Sequence, residues 1–368
     1  MTGRRGAGRV RATAPPRGAR MPGEWEPHDA TWLAWPHERS DWPGHFDRIP
    51  DVYVGIIAEL VRGERVDLIV ESRAVGRSVE RRLARAGVPL ERVAFHPWRT
   101  DRSWLRDSGP TFVTRRPAGE RPGSVGCVAW RFNAWAKYDN WHRDVRIARR
   151  IARAAGVPSW SPRWHGRRVV LEGGAIDANG AGVLLTTEEC LLGTEQARNP
   201  GLARSDYASI FGRYLGIERI VWLPRGIAGD DTHGHVDDVA RFVDPSTVVL
   251  VVESDARDPN RAALEENRAR LKAELPSPAF RRVELPMPSE IRLGPQRLPA
   301  SYANFYIANA SVLVPVFEDA EDARALGILR ARFPGRRVVG IPSRDLVVGL
   351  GTLHCLTQPQ FAAPRRPV

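Results

Sequence analysis

An α/β fold is predicted by three observations. Helical and strand-like stretches alternate along the body of the chain. Each pair ends in a loop rich in Asp, His, Gly or Asn. The polar landmarks of those loops fall at 107, 172, 235, 304 and 355, spaced 65, 63, 69 and 51 residues apart. Recurrence at a near-constant period is the mark of a repeat. Five units around one axis would carry five distant loops to one centre. An ordinary doubly wound sheet also alternates in this way, so the period alone leaves both arrangements open.

The elements follow in order. Residues 51–62 have helical period and 66–70 are a short apolar strand. Residues 75–86 are helical, and strand 92–95 leads to Trp104-Leu-Arg-Asp-Ser-Gly. Helix 142–155 precedes strand 168–171, which ends at Glu172-Gly-Gly. Helix 206–215 and strand 220–223 lead to Asp230-Asp-Thr-His-Gly-His-Val-Asp. Helix 259–274 is charge-laced, with a solvated face, and strand 282–285 precedes Tyr302-Ala-Asn-Phe. Helix 319–332 and strand 337–341 lead to His354-Cys355. Residues 181–186, 247–252 and 311–317 are further β runs, and 344–350 is an apolar, β-rich stretch before the last motif.

With 368 residues, 42% of them hydrophobic, the chain can bury a sizeable core. No apolar run reaches the ~18 residues of a membrane span. Three widely spaced cysteines form neither a disulfide framework nor a Cys-x-x-Cys metal motif, which suits the reducing cytoplasm. The net charge of +12 is concentrated at the ends. Removing the six arginines of residues 1–20, with Arg365 and Arg366, leaves about +4 for the body. Residues 1–20 are expected to be a basic disordered tail, 21–360 one catalytic domain, and 361–368 a short C-terminal tail. Met21 directly precedes the first structured-looking segment, so a misassigned start accounts for the tail better than a nucleic-acid-binding arm does.

The chemistry centres on Cys355 in Gly349-Leu-Gly-Thr-Leu-His-Cys. Its thiol suits attack on a carbon electrophile; the bland alternative is a small buried hydrophobe. Asp107, Glu172 and Asp237 each sit where a strand hands over to a loop. Carboxylates beside a nucleophilic thiol would raise its pKa and repel an oxyanion. They suit a cationic substrate instead. A guanidinium is planar and permanently charged, and carboxylates grip it in pairs. The bound cation would in turn favour the thiolate. His235 is the candidate general acid and base, with Glu172 orienting it. His233 competes, because 233, 235 and 237 would share one face of a strand. The same run, His233-x-His235-x-Asp237-Asp238, also has the look of a metal site. His354 is read as structural, on the opposite strand face from Cys355. Cys127 and Cys190 are read as buried strand residues, and most of the twelve tryptophans as packing.

Taken together, Pro22-Gly-Glu-Trp-Glu-Pro-His, Trp104-Leu-Arg-Asp-Ser-Gly-Pro-Thr, Phe132-Asn-Ala-Trp, Leu171-Glu-Gly-Gly, Gly234-His-Val-Asp, Tyr302-Ala-Asn-Phe-Tyr-Ile-Ala-Asn and His354-Cys-Leu-Thr-Gln resemble the agmatine deiminases and their bacterial peptidyl-arginine-deiminase relatives. The resemblance spans roughly residues 21–360. It implies a single-domain, five-bladed pseudo-fivefold α/β propeller (pentein-type) of the guanidino-group-modifying superfamily, with no metal and no organic cofactor. By that resemblance Cys355 is the nucleophile, His235 rather than His233 the catalytic histidine, and Glu172 its partner. Asp107 and Asp237 grip the guanidinium, Trp104 packs on the substrate's aliphatic stem, and Asn304 contacts substrate.

The implied reaction is agmatine to N-carbamoylputrescine and ammonia through an amidino-cysteine. Peptidyl- or free-arginine deimination and amidino transfer are alternatives, and a non-catalytic propeller that binds nucleic acid through its tail is an alternative of another kind. The expected partner is a small cationic guanidino compound, with no membrane, nucleic acid disfavoured and homo-oligomerisation left open. Two segments depart from the family. Gly349-Leu-Gly-Thr-Leu stands where a Gly-Gly-Gly-Asn-Ile run is usual, and Ala136-Lys-Tyr-Asp-Asn-Trp where a glycine-rich run is usual.

Overall fold

Five sheets share one wiring scheme in the structure, a computed structural model that describes residues 13–118 and 122–365. Two strands pair antiparallel, and a helix-bearing crossover then returns the chain to a parallel third strand. The fourth sheet shows it most simply. Ala240–Asp244 lies antiparallel to Thr247–Val252, helix Asn260–Glu274 crosses over, and Arg281–Pro286 adds parallel, from Thr247 opposite Arg281 to Val252 opposite Pro286. Val248 to Val251 are essentially inaccessible. A strand covered on both faces has no polar side to alternate with, so the sequence reads as one apolar run.

The fifth sheet repeats this with Tyr306–Ile307, Ser311–Val316, helix Asp322–Arg332 and Arg337–Pro342. The third uses Asp177–Ala178, Val183–Thr187, helices Glu188–Leu192 and Arg204–Leu215, and Arg219–Leu223. The second uses Thr111–Arg115, Ser124–Val128, helix Ile147–Ala154 and Ser159–Trp160. The first is assembled from both ends of the chain. His28–Ala34 pairs antiparallel with Gln358–Phe361 and parallel with Arg65–Val70, which pairs with Val93–Pro97. Helix Ile49–Leu60 buries Tyr53, Ile56, Ile57 and Leu60, the i, i+3, i+4, i+7 stripe of an amphipathic helix. It packs on strands of the fifth sheet as well as on its own.

Several expectations need correction. Part of the basic tail, residues 1–12, lies outside the described residues, but Ala19–Arg20 is a strand paired with Thr114–Arg115, and the Met21 amide donates to Leu215. The disordered reading therefore stops short of residue 20. At the other end Phe361 is a buried strand residue, so the tail begins after it. The run 344–350 is not a strand. Leu346–Gly349 is a 3-10 turn, followed by Leu350 in the left-handed region at φ 66°. Of the expected strand 168–171 only Arg168 lies in a ladder, in the small hairpin of Arg163–Trp164 with Arg167–Arg168, and Val170 makes an isolated parallel bridge to Arg131. Cys127 lies in a strand as expected, whereas Cys190 lies in helix Glu188–Leu192. No helix among the described residues is long and apolar enough to cross a membrane.

Candidate active site

The loops that follow the strands of these sheets converge on a buried polar cluster. Asp107 sits on the single helical turn Leu105–Ser108. Its Oδ1 accepts the Gly174 amide at 2.9 Å and its Oδ2 the Trp135 indole N–H at 2.8 Å. Glu172 directly precedes Gly173-Gly174. A Cβ on Gly174 would stand 2.5 Å from His235 Nδ1 and 3.0 Å from both Asp107 and Asp237. Only glycine lets the backbone pass between these three side chains.

His235 is held from behind, because Asp230 accepts both the Gly234 and His235 amides. Its Nε2 lies 3.6 Å from Glu172, and its Nδ1 lies 3.9 Å from Asp107 and 4.0 Å from Asp237. Neither ring nitrogen has a hydrogen-bond partner, although the residue is buried. The expected strand through 233–237 does not form. His233 has φ 62°, and Val236–Asp238 is a 3-10 turn. His233 instead faces Glu189 and Glu195 at 4.0 Å, so the four residues of the suspected metal run do not converge. Glu172, Cys190 and His235 do bring donor atoms within 4.8 Å of one another. That set could hold a soft divalent ion, but the Arg198 guanidinium already lies 3.2 and 3.3 Å from the two Glu172 oxygens.

Cys355 lies in the helical turn Leu353–Leu356, not after a strand, so His354 is not on an opposite strand face. His354 bridges instead, with Nδ1 2.6 Å from Asp237 and Nε2 3.0 Å from Glu24. The Cys355 sulfur lies 3.8 Å from Asp237 Oδ2 and 3.2 Å from Asn304 Nδ2. Asn304 was expected to touch substrate. Its amide is engaged with protein groups: Nδ2 donates to Asp238 and the thiol, and Oδ1 accepts from Thr352 and the His354 amide. Gly351 separates Trp104 from the nucleophile; a Cβ there would meet the indole at 2.9 Å and the sulfur at 3.3 Å. Trp104 packs against Trp42 with ring centroids 5.4 Å apart.

The electrostatics follow from burial and crowding. Burial, then Asp237, Asp238 and Asp107, push the Cys355 thiol well above its ordinary value. Burial disfavours the His235 imidazolium, but Asp107, Cys190 and Glu172 outweigh it and raise its pKa well above the usual range. Asp107 is raised by burial, with Asp237 and Glu172 adding and His235 opposing. Asp237 is also buried, yet its hydrogen bond and charge pairing with His354 hold it low. The site is a desolvated cluster with excess negative charge, the environment that a cation neutralises.

Sequence reasoning missed four supporting residues. Arg198 is fully buried and ties Glu172 to the carbonyls of Gln196 and Thr232. Glu24 joins Arg106, Arg241 and His354. Trp135, in the left-handed region at φ 58°, steadies Asp107. Cys190 lies against His235 and Glu172. Glu24 and Trp135 stand in short motifs already singled out, which was the only signal available; Arg198 stands in none of them.

The family model of the Porphyromonas-type peptidyl-arginine deiminases matches residues 20–360. The chain belongs to that family. The agmatine deiminase of Ectopseudomonas mendocina (strain ymp) is 34% identical over 95% of this chain and 98% of that relative. The agmatine deiminase of Pseudomonas aeruginosa (strain LESB58) is 35% identical over 96% and 99%. Among solved structures, the agmatine deiminase of Enterococcus faecalis superposes with a TM-score of 0.83 at 29% identity, covering 95% of this chain and 97% of that one.

Proposed function

We propose that this chain hydrolyses the guanidino group of agmatine to give N-carbamoylputrescine and ammonia. The observation that carries this reading is the Cys355 sulfur 3.8 Å from Asp237, in a buried cluster with Asp107, His235 and Glu172. The curated relatives at about 35% identity support the choice of agmatine. Asp107 and Asp237 grip the guanidinium, and Trp104 lies along the alkyl stem. The arriving cation offsets the charges that hold the thiol protonated, so substrate binding itself generates the nucleophile.

The thiolate donates its electron pair to the guanidinium carbon, forming a C–S bond. His235 gives a proton to the leaving nitrogen, and the C–N bond breaks as ammonia departs. Water then attacks the amidino carbon and its proton passes to His235. The C–S bond breaks with its electron pair returning to sulfur, leaving the ureido product. Glu172, held by Arg198, keeps His235 oriented and favours its charged form. Asn304, whose Nδ2 lies 3.2 Å from the sulfur, positions the thiol.

The five sheets are taken as blades around a pseudo-fivefold axis, in one domain over residues 21–360. The helix of the first unit resting on the fifth sheet supports that closure. Three free cysteines suit a cytoplasmic enzyme. The test is turnover with agmatine, arginine and C-terminal arginyl peptides, measuring ammonia and ureido product. Agmatine is expected to be the best substrate, with a mass increment trapped on Cys355 by acid quench. No product from any of the three would end this reading.

A further inference from the structure

A second charged site lies outside the catalytic cluster, lined in part by Val169 and Val170, which lead to Glu172. The hairpin Arg163–Trp164 and Arg167–Arg168, turned by His165 and Gly166 in the left-handed region, forms one wall of a cleft of about 740 Å³. Arg131 lines the same cleft. No Asp or Glu lines it. Among the described residues, Arg131, Arg163 and Arg167, which are exposed, and the half-buried Arg168 make no ion pair. The carboxylate in contact with the hairpin, Asp206, accepts the Trp164 indole N–H and caps its own helix through the Ala203 amide.

The crowding is energetically unfavourable in the empty protein. Arg168 is half-buried, its Nε is out of solvent without a partner, and burial together with Arg149, Arg163 and Arg131 pushes its pKa down to about 10. Like charges gathered in a concavity without counter-charges are relieved by a bound anion. Guanidinium forks match phosphate oxygens in pairs. The half-buried Trp164 ring adds an aromatic surface at the edge of the same cleft.

We propose that this cleft is a binding site for a small oligophosphate-bearing molecule, held by Arg131, Arg163, Arg167 and Arg168. Two sources share that chemistry, a free oligophosphate and a nucleotide, and Trp164 separates them. The site does not depend on the catalytic reading, because its occupancy is read by binding and not by turnover. It is nonetheless connected to it. Val170 is hydrogen-bonded in both directions to Asn199, and the neighbouring residue Arg198 holds Glu172.

The experiment is calorimetric titration of the full chain with sodium tripolyphosphate and with ATP at constant ionic strength. The variants are Arg163→Gln/Arg167→Gln, at two exposed positions that the fold tolerates, Trp164→Ala, and a control pair on another face, Arg77→Gln/Arg81→Gln. Saturable one-site binding is expected, weakened about tenfold or more in the hairpin pair and unchanged in the control pair. ATP binding more tightly than tripolyphosphate, with Trp164→Ala erasing only the difference, assigns a nucleotide. Equal affinities assign a free oligophosphate. Heats that never saturate, or equal losses in the hairpin and control pairs, mean a diffuse ion atmosphere and overturn the proposal. Binding unaffected by the hairpin pair places the anion elsewhere and overturns it equally.

Discussion

Two buried charge clusters lie back to back in this molecule and are built on opposite terms. Behind the pocket, Glu24 meets Arg241 at 2.8 Å, Arg106 at 2.7 Å and His354 at 3.0 Å, and Arg241 meets Asp177 at 2.5 Å. Both Glu24 oxygens have cationic partners. In the pocket, both nitrogens of His235 and Oδ1 of Asp237 have none. Buried polar atoms without partners are costly, and they persist here beside a network that over-determines their positions. The satisfied cluster is architecture; the unsatisfied one is the proposed site for a guanidinium.

Breaking the front cluster at its centre has the largest expected effect. Cys355→Ala should reduce turnover below detection, a loss of at least ~10⁴-fold, because the covalent route has no second nucleophile. Its melting temperature should stay within a few degrees of the parent. Activity that survives would exclude this thiol as nucleophile.

Breaking the rear cluster should act on stability instead. Glu24→Gln leaves Arg106 and Arg241 short of counter-charge in the interior and should cost about 3–5 kcal/mol in denaturant unfolding. A change below about 1 kcal/mol would show that the rear network does not hold the fold together.

Trp135→Phe tests the support of the front cluster. It keeps the ring and removes the N–H that steadies Asp107. A hydrogen bond to a charged group is worth about 1.5–3 kcal/mol, so kcat/KM should fall roughly tenfold to a hundredfold with the fold intact. An unchanged kcat/KM would mean that Asp107 needs no such support.

The pH profiles sharpen the contrast. The thiol is raised in the empty pocket, so the ascending limb of kcat/KM, which reports free enzyme, should lie above ordinary thiol values. Bound cation lowers that pKa, and the ascending limb of kcat should lie at lower pH. His235 must be charged to protonate the leaving nitrogen, and its raised pKa places the descending limb well above the ordinary histidine range. Coincident ascending limbs would rule out activation of the thiol by substrate. The smallest effect belongs to Cys190→Ala. Cys190 helps to hold the His235 pKa up, so its removal should move the descending limb to lower pH with little change in KM. A limb that stays in place would leave Cys190 as packing alone.

What the sequence disclosed divides along the same line. Strand 247–252 was legible because full burial on two faces writes an uninterrupted apolar run. Asp107, Glu172, His235, Asp237 and Cys355 were singled out from polar loop motifs, and the structure brings the five side chains together, although Asp107, Asp237 and Cys355 sit on short helical turns rather than at strand ends. Arg198 and Glu24 were not. A buried charge that is fully paired reads in sequence like any solvated one, and its partner lies far along the chain. Segment 344–350 misled for a different reason. Its apolar residues serve a tight turn whose Leu346 carbonyl accepts the Trp42 indole N–H, a tertiary demand that periodicity does not record.

The pairing of His28–Ala34 with Gln358–Phe361 has a consequence for synthesis. During translation the two aspartates, the glutamate and the histidine emerge long before the sulfur, and the first sheet lacks an edge until residue 361 has cleared the ribosome. On the proposed reading of the site, the acidic residues precede the thiol out of the ribosome, and the first sheet closes only once Gln358–Phe361 pairs with His28–Ala34.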